Sequence, residues 1–323
     1  MTLEQLKYDS MLGKLRRYRS KRGISYHNAG EPIAVRDDSA RLVFAAWADL
    51  QISDLLIGNL PIFDAACADI DANCRGLDAM LIAGDLAENG HPWEYRYIRE
   101  RLEGLKIANF IFCEGNHDVR LKASYDKTVR TFTDFQNRLN TAVNSRLHTD
   151  ALNYSYQIKG YSFIVLGTEK TMFEESYLSP ERLDRLDSEL KLAEQSGLPC
   201  FVLCHQPLKM THGLPDAWVS PGTRGGSVGK QSDELLAIMN RYRNVFYING
   251  HLHSGIGEKT YQKLGSVHSV NLPSLLINDH NRTDHGDGIC FIFEVYEDRV
   301  LLRARDFPAG RYDPGHDIEI KLG

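Results

Sequence analysis

Apolar positions come in short runs at 42–48, 79–83, 108–113, 162–167, 200–204 and 244–249. Each run is too short for a helix and reads as a buried strand. Between them the apolar spacing turns helical, over about 56–74, 92–105, 125–146, 179–196 and 231–242. Pro180 suits the first turn of the fourth of these helices, with Ser179 as its cap. Strands alternating with helices give sheets covered by helices. The last part of the chain changes character: 267–270, 289–296, 300–306 and 318–322 read as consecutive strands, with a hairpin turn at Tyr296-Glu297-Asp298. The pattern predicts an α/β fold whose β-rich C-terminal part belongs to the same domain, over 41–323. It shows no internal repeat.

Residues 1–40 stand apart as a basic N-terminal extension. Residues 1–22 hold seven basic and two acidic side chains, and Leu3, Leu6, Met11, Leu12 and Leu15 recur near helical spacing. A helix laid on the main domain with its Lys and Arg solvated is expected. An arm that touches an anionic surface or a partner is the alternative.

Charge and composition then exclude several classes. The 323 residues carry 38 Lys plus Arg against 43 Asp plus Glu, a net charge of −5. That balance lacks the basic stripe that bulk nucleic-acid binding needs. The longest apolar run, 42–48, has seven residues, against the roughly 20 of a membrane-spanning helix, and no charged-then-apolar export signal opens the chain. Cys67, Cys74, Cys113, Cys200, Cys204 and Cys290 form no CxxC pair, so reduced core cysteines and a cytoplasmic location are expected. Oligomeric state is not legible.

The candidate chemistry stands just after the apolar runs. Asp49-Leu50-Gln51 follows the first, Gly84-Asp85 the second and Gly115-Asn116-His117-Asp118 the third, with His205 and Gly250-His251-Leu252-His253 after the later two. Ligands of open α/β sheets gather beyond the carboxyl ends of the strands, so these tips are expected to converge. Asp, Asn and His bind metals through oxygen or imidazole nitrogen. Each piece alone has a plain structural reading. Asp49 suits a cap or turn, His205 a buried structural histidine and Asp118 a turn, while Arg120 reads as a solvated side chain, with a reach to a phosphate oxygen as the alternative. Five such pieces in order are hard to assign to chance.

In that order the motifs resemble those of the calcineurin-like metallophosphoesterases, D-x-H, G-D, G-N-H-D/E, a lone His and G-H-x-H, over roughly 42–306. The resemblance implies a four-layer α-β-β-α sandwich with a two-metal site at the strand tips. It implies that Asp85 bridges both metals, that Asp49 and His253 hold one, and that Asn116, His205 and His251 hold the other. It places His117 against the scissile phosphate as a catalytic residue, with Asp118 as a candidate to orient its ring. Gln51 departs from the pattern, which has His there. Its amide oxygen is a hard, neutral ligand, so Gln51 either binds through oxygen or leaves its place to water. Both versions predict one loosely held metal that tolerates Mn²⁺ or Mg²⁺; Fe and Zn are the other candidates.

The expected function is metal-dependent phosphoester hydrolysis by direct attack of a hydroxide bridging two divalent metals, on a small substrate with nucleotides among the candidates. A phosphodiester is preferred by analogy, with a phosphomonoesterase or protein phosphatase as the alternative. A binding module on the same fold, with Gln51 as its first sign of decay, is the rival from another class. Gly222, Gly225, Gly226, Gly229 and Lys230 miss the spacing of a nucleotide phosphate loop. The long stretch 206–231 is a candidate lid. His280 and His285 are candidates for the same rim, though they read more readily as surface residues.

Overall fold

The apolar runs fold into two β-sheets packed face to face. The computed structural model describes residues 1–24, 30–74, 76–120, 122, 124–214, 226–276 and 286–323. In chain order the described elements begin with α1 (Leu3–Arg22), β1 (Leu42–Trp47), α2 (Asn59–Asn73), β2 (Ala79–Ala83), α3 (Pro92–Leu102), β3 (Phe110–Cys113), α4 (Asn116–Val119) and α5 (Tyr125–Ala142). They continue with β4 (Tyr154–Ile158), β5 (Tyr161–Val165), α6 (Pro180–Glu194), β6 (Cys200–Leu203), α7 (Ser232–Met239), β7 (Val245–Asn249), β8 (Tyr261–Leu264) and β9 (Val267–Asn271). β10 (Ile289–Val295), β11 (Arg299–Asp306), β12 (Arg311–Tyr312) and β13 (Ile318–Lys321) end the chain.

Among the described residues, seven strands form one sheet in the order β12-β11-β10-β1-β2-β3, with β13 paired to β11. Six form the other, in the order β4-β5-β6-β7-β9-β8. β1, β2 and β3 are parallel, and the C-terminal strands join β1 through the antiparallel β10. β5, β6, β7 and β9 are parallel, with β4 and β8 antiparallel at the edges.

Alternation along β1 explains the layers. Phe44 points inward, edge-on to Phe163 and Phe201 of the second sheet at 5.5 and 5.1 Å between centroids, and stacks on Phe293 at 4.7 Å. Trp47 points outward, to Phe63 of α2 at 6.2 Å. Such aromatic pairs add about 0.5–1.5 kcal/mol each beyond the area they bury. α6 and α7 cover the other face of the second sheet through Leu183, Leu186, Leu190 and Leu235. The layers run helix, sheet, sheet, helix, as the resemblance implied. Strands covered on both faces read as unbroken apolar runs, which is why they were legible.

The first helix forms and buries part of the expected stripe, Met11 and Leu15 with Leu12 packed beside them, but not its first turn. Tyr8, Met11 and Leu15 are buried against the main body, whereas Leu3 and Leu6 are 69% and 47% exposed. Tyr8 donates to Glu100 of α3, and Lys14 and Arg19 pair with Asp54 and Asp64. Ser179 caps α6, accepting from Arg182 N at 3.2 Å, with Pro180 in the first turn. The six cysteines form no disulfide, and five of them are buried. Among the described residues no helix is long and apolar enough to cross a membrane.

Candidate metal centre

The tips of β1, β2, β3, β6 and β7 meet at one end of the two sheets, stitched together by backbone bonds. Asp49 N donates to Gly84 O at 3.0 Å and Gln51 N to Asp85 O at 2.8 Å, joining the tips of β1 and β2. Gly250 N donates to His205 O at 2.9 Å, joining those of β6 and β7. Bonds also cross between the sheets, among them His251 N to Asp49 Oδ2 at 3.1 Å and His205 Nδ1 to Ala83 O at 2.8 Å. A carbonyl only accepts, so Nδ1 of His205 carries a proton, and Nε2 faces the centre.

The turns that aim these side chains are tight. Asp49, Gln51, Asp85, His251 and His253 have φ of 55°, 40°, 51°, 73° and 48°, five of the ten described non-glycine residues with positive φ. Gly84, at φ 91°, could not carry a Cβ without striking the His205 ring, and a Cβ on Gly115 would strike Asp85. Those two glycines let three strand tips approach one point.

Two groups of potential ligand atoms result. Asp85, His205 and His251 form one, and Asp49, Asp85 and His253 the other, each with its atoms within 4.8 Å of one another. Asp85 belongs to both. Its Oδ2 lies 3.2 Å from His205 Nε2, and its Oδ1 accepts from His117 N at 2.8 Å. His253 Nε2 lies 3.4 Å from Asp49 Oδ1, and His251 Nδ1 lies 3.2 Å from His205 Nε2. Asp49 and His205 are fully buried.

The donor set fits a cation. Gln51 Oε1 and Asn116 Oδ1 are buried amide oxygens without a hydrogen-bond donor, an arrangement that is costly unless something positive is met there. Burial pushes the His205 pKa down, but the charges of Asp85 and Asp49 and the Asp85 bond push it further up, to about 9. Burial beside His205 holds His251 well below the usual imidazole range. Burial also raises Asp85, yet His205 and His117 pull it below the ordinary carboxylate range. The centre thus favours positive charge next to Asp85 and keeps a neutral imidazole beside it.

His117 lies at the rim, its side chain 13% exposed. Its Nε2 is 3.1 Å from Gln51 Nε2, while Nδ1 lies 3.1 Å from Glu88 O and 3.2 Å from Glu88 Oε2. Burial lowers its pKa, and Asp85 and Glu88 more than reverse this, so the net direction is upward. Asp118 sits elsewhere than beside the ring: its carboxylate accepts from Leu86 N, Ala87 N, Gly115 N and Tyr95 Oη at 2.9–3.2 Å. It is a fully buried clamp between the β2 and β3 tips, and the group positioned to orient His117 is Glu88. The reading of Asp118 as the ring-orienting residue therefore gives way to its turn reading. Arg120 is no solvated side chain, since it pairs with the nearly buried Glu174 at 2.6 Å and reaches His117 Nδ1 at 3.1 Å.

Sequence reasoning passed over Glu88 and Glu174. Glu88 stands three residues after Asp85, a spacing that marks it in retrospect; the loop holding Glu174 carries no motif. Of the candidate lid 206–231, positions 215–225 lie outside the described residues, as do His280, His285, Gly222 and Gly225. The base of that stretch is closed by Val228 N donating to Pro207 O at 3.0 Å and Lys209 N to Ser232 Oγ at 2.6 Å.

Comparison with known proteins bears on the family and the fold. The family model for calcineurin-like phosphoesterase matches residues 49–255. A 3',5'-cyclic-nucleotide phosphodiesterase from Nostoc sp. is 30% identical over 199 residues, 61% of this chain and 62% of the relative. The match thus spans less than two thirds of that relative. A dimetal phosphatase from Danio rerio superposes with a TM-score of 0.60 at 13% identity, over 88% of this chain and 100% of the other. A purple acid phosphatase from yellow lupin (Lupinus luteus) seeds gives 0.56 at 13% identity, over 87% of this chain and 53% of the other. At such identity the two structures speak for the fold alone.

Proposed function

The chain belongs to the calcineurin-like phosphoesterase family, and we propose that it hydrolyses a small phosphodiester, with a cyclic nucleotide as the leading candidate, at a two-cation centre built on Asp85. The observation that carries this reading is that one carboxylate belongs to both ligand groups, the arrangement a closely spaced metal pair requires. Asp49, Asp85 and His253 would hold one cation, with Gln51 Oε1 turned to it. Asp85, Asn116, His205 and His251 would hold the other. Two carboxylates against four positive charges leave the centre net positive, which draws an anionic ester. The hard, neutral Gln51 oxygen favours Mn²⁺.

Bound cations would supply charge to the phosphate oxygens and bring the pKa of a water toward 7. The chain's own residues do the rest. His117 stands at the rim, where its ring, fixed by the Glu88 contact at Nδ1 that favours the protonated form, would give a proton to the leaving oxygen once Nε2 exchanges its Gln51 amide contact for the ester. Asp118 holds the two tips that carry Asp85 and Asn116 in register. The diester preference is supported by the name of the Nostoc relative.

Hydrolysis of bis-p-nitrophenyl phosphate, p-nitrophenyl phosphate and a 3',5'-cyclic nucleotide by Mn²⁺-supplemented protein tests the reading. Faster turnover of the diesters is expected. Faster turnover of the monoester would make the protein a phosphomonoesterase, and no turnover with any metal would leave the binding module.

A further inference from the structure

We infer that Glu174 is a positioning residue that decides which end of the Asn116 amide faces the metal centre, and thereby sets the affinity of the cation site Asn116 completes. The inference rests on the two-cation reading above. An asparagine amide presents oxygen or nitrogen according to a half-turn of its last bond, and only the oxygen ligates a cation. Asn116 Nδ2 donates to Glu174 Oε2 at 2.7 Å, which leaves Asn116 Oδ1 buried and without a donor. An ionised carboxylate only accepts. A flipped amide would set oxygen against oxygen on that side and point its N–H groups at the centre, so Glu174 selects one of the two states.

Glu174 is itself held from several directions. Its other oxygen, Oε1, accepts from Arg120 NH1 at 2.6 Å. Its backbone carbonyl accepts from Gln206 Nε2 at 3.3 Å, directly after His205, and Ser176 Oγ lies 3.9 Å from Cys204 Sγ, directly before it. The loop is closed at its base by Glu169 N donating to Tyr177 O at 2.9 Å and Tyr177 N to Thr168 Oγ1 at 3.0 Å. The loop between β5 and α6 therefore ties the β3 tip, through the Glu174 carboxylate, to the β6 tip, through the Glu174 carbonyl and Ser176. Asn116 and His205, which those tips carry, are assigned to the same cation. Glu174 lies outside both potential ligand groups, and each of its oxygens already has a donor. Its part is to orient a ligand rather than to be one.

Mn²⁺ titration of chelator-stripped protein, read by calorimetry and by electron paramagnetic resonance, tests this. Wild type is expected to take up two ions. Glu174→Gln, whose amide cannot accept from Asn116 and Arg120 at both of its ends, should keep one ion at wild-type affinity and bind the second about 10–100-fold more weakly. In that variant kcat should fall at low Mn²⁺ and recover in excess, with KM unchanged. Asn116→Ala should weaken the same site, and the double variant should match Asn116→Ala alone, because Glu174 acts through that amide. Two wild-type affinities in Glu174→Gln would overturn the inference, whereas a wild-type chain that fails to bind two ions would instead overturn the two-cation reading. Should circular dichroism show Glu174→Gln unfolded, a crystal structure of the Mn²⁺-loaded wild type decides. Asn116 Oδ1 on the cation with Nδ2 on Glu174 supports the inference, and an Asn116 turned away from Glu174 refutes it.

Discussion

Asp49, Gln51, Asp85, His251 and His253 all occupy left-handed backbone conformations, which cost L-residues on the order of 1–3 kcal/mol each. The bonds between strand tips, Asp49 N to Gly84 O, Gln51 N to Asp85 O and His251 N to Asp49 Oδ2, hold them there. Strain concentrated on candidate ligands is what a site looks like when side-chain direction matters more than backbone comfort. His117 has no such strain. It sits at the rim and contacts Asp85 through its backbone N–H. Its assignment as proton donor rather than ligand predicts that His117→Ala lowers kcat by about 10²–10⁴ while elemental analysis finds the wild-type metal content. Loss of metal in that variant would move His117 into the ligand set.

Among the elements, the connection after β6 is anchored by a histidine outside the centre. His212 Nδ1 donates to Lys259 O at 2.7 Å, and its Nε2 lies 2.7 Å from Ser269 Oγ on β9. Burial takes its pKa from 6.5 down to about 4, against a smaller upward push from the Lys259 carbonyl. Between those values the unfolded chain binds more protons than the folded one, so stability rises with pH. This contribution is complete above pH 6.5 and is lost as pH falls toward 4, on the order of 3 kcal/mol. Urea unfolding at pH 7 and pH 4.5 should show that loss in wild type and a shallower one in His212→Gln. Equal losses would place the acid sensitivity elsewhere. Legibility followed burial at this scale too. β1, β2, β3, β6 and β7 are buried throughout and stood out in the sequence. The edge strands β4 and β8 are half-exposed mixtures of polar and aromatic residues and did not. α1 was legible as a helix and Met11 and Leu15 as part of its buried face, but Tyr8 was not, because it enters through an aromatic ring and a bond to Glu100 rather than through an aliphatic side chain.

For the molecule as a whole, two facing sheets place five strand tips at one end, and the order of the motifs along the chain was enough to predict that they meet. What the sequence could not show were contacts made by residues without a motif. Glu88 at His117, Glu174 at Asn116 and the clamp formed by Asp118 depend on loop paths that leave no periodic trace. Everything proposed for the site depends on one buried carboxylate serving two cations. Metal content per chain, by elemental analysis of Mn²⁺-loaded and dialysed wild type and Asp85→Asn, tests it most directly. Two ions per chain are expected for wild type and fewer than one for Asp85→Asn, because both sites lose a ligand together. Fewer than one ion in wild type, or equal content in the two proteins, would contradict it.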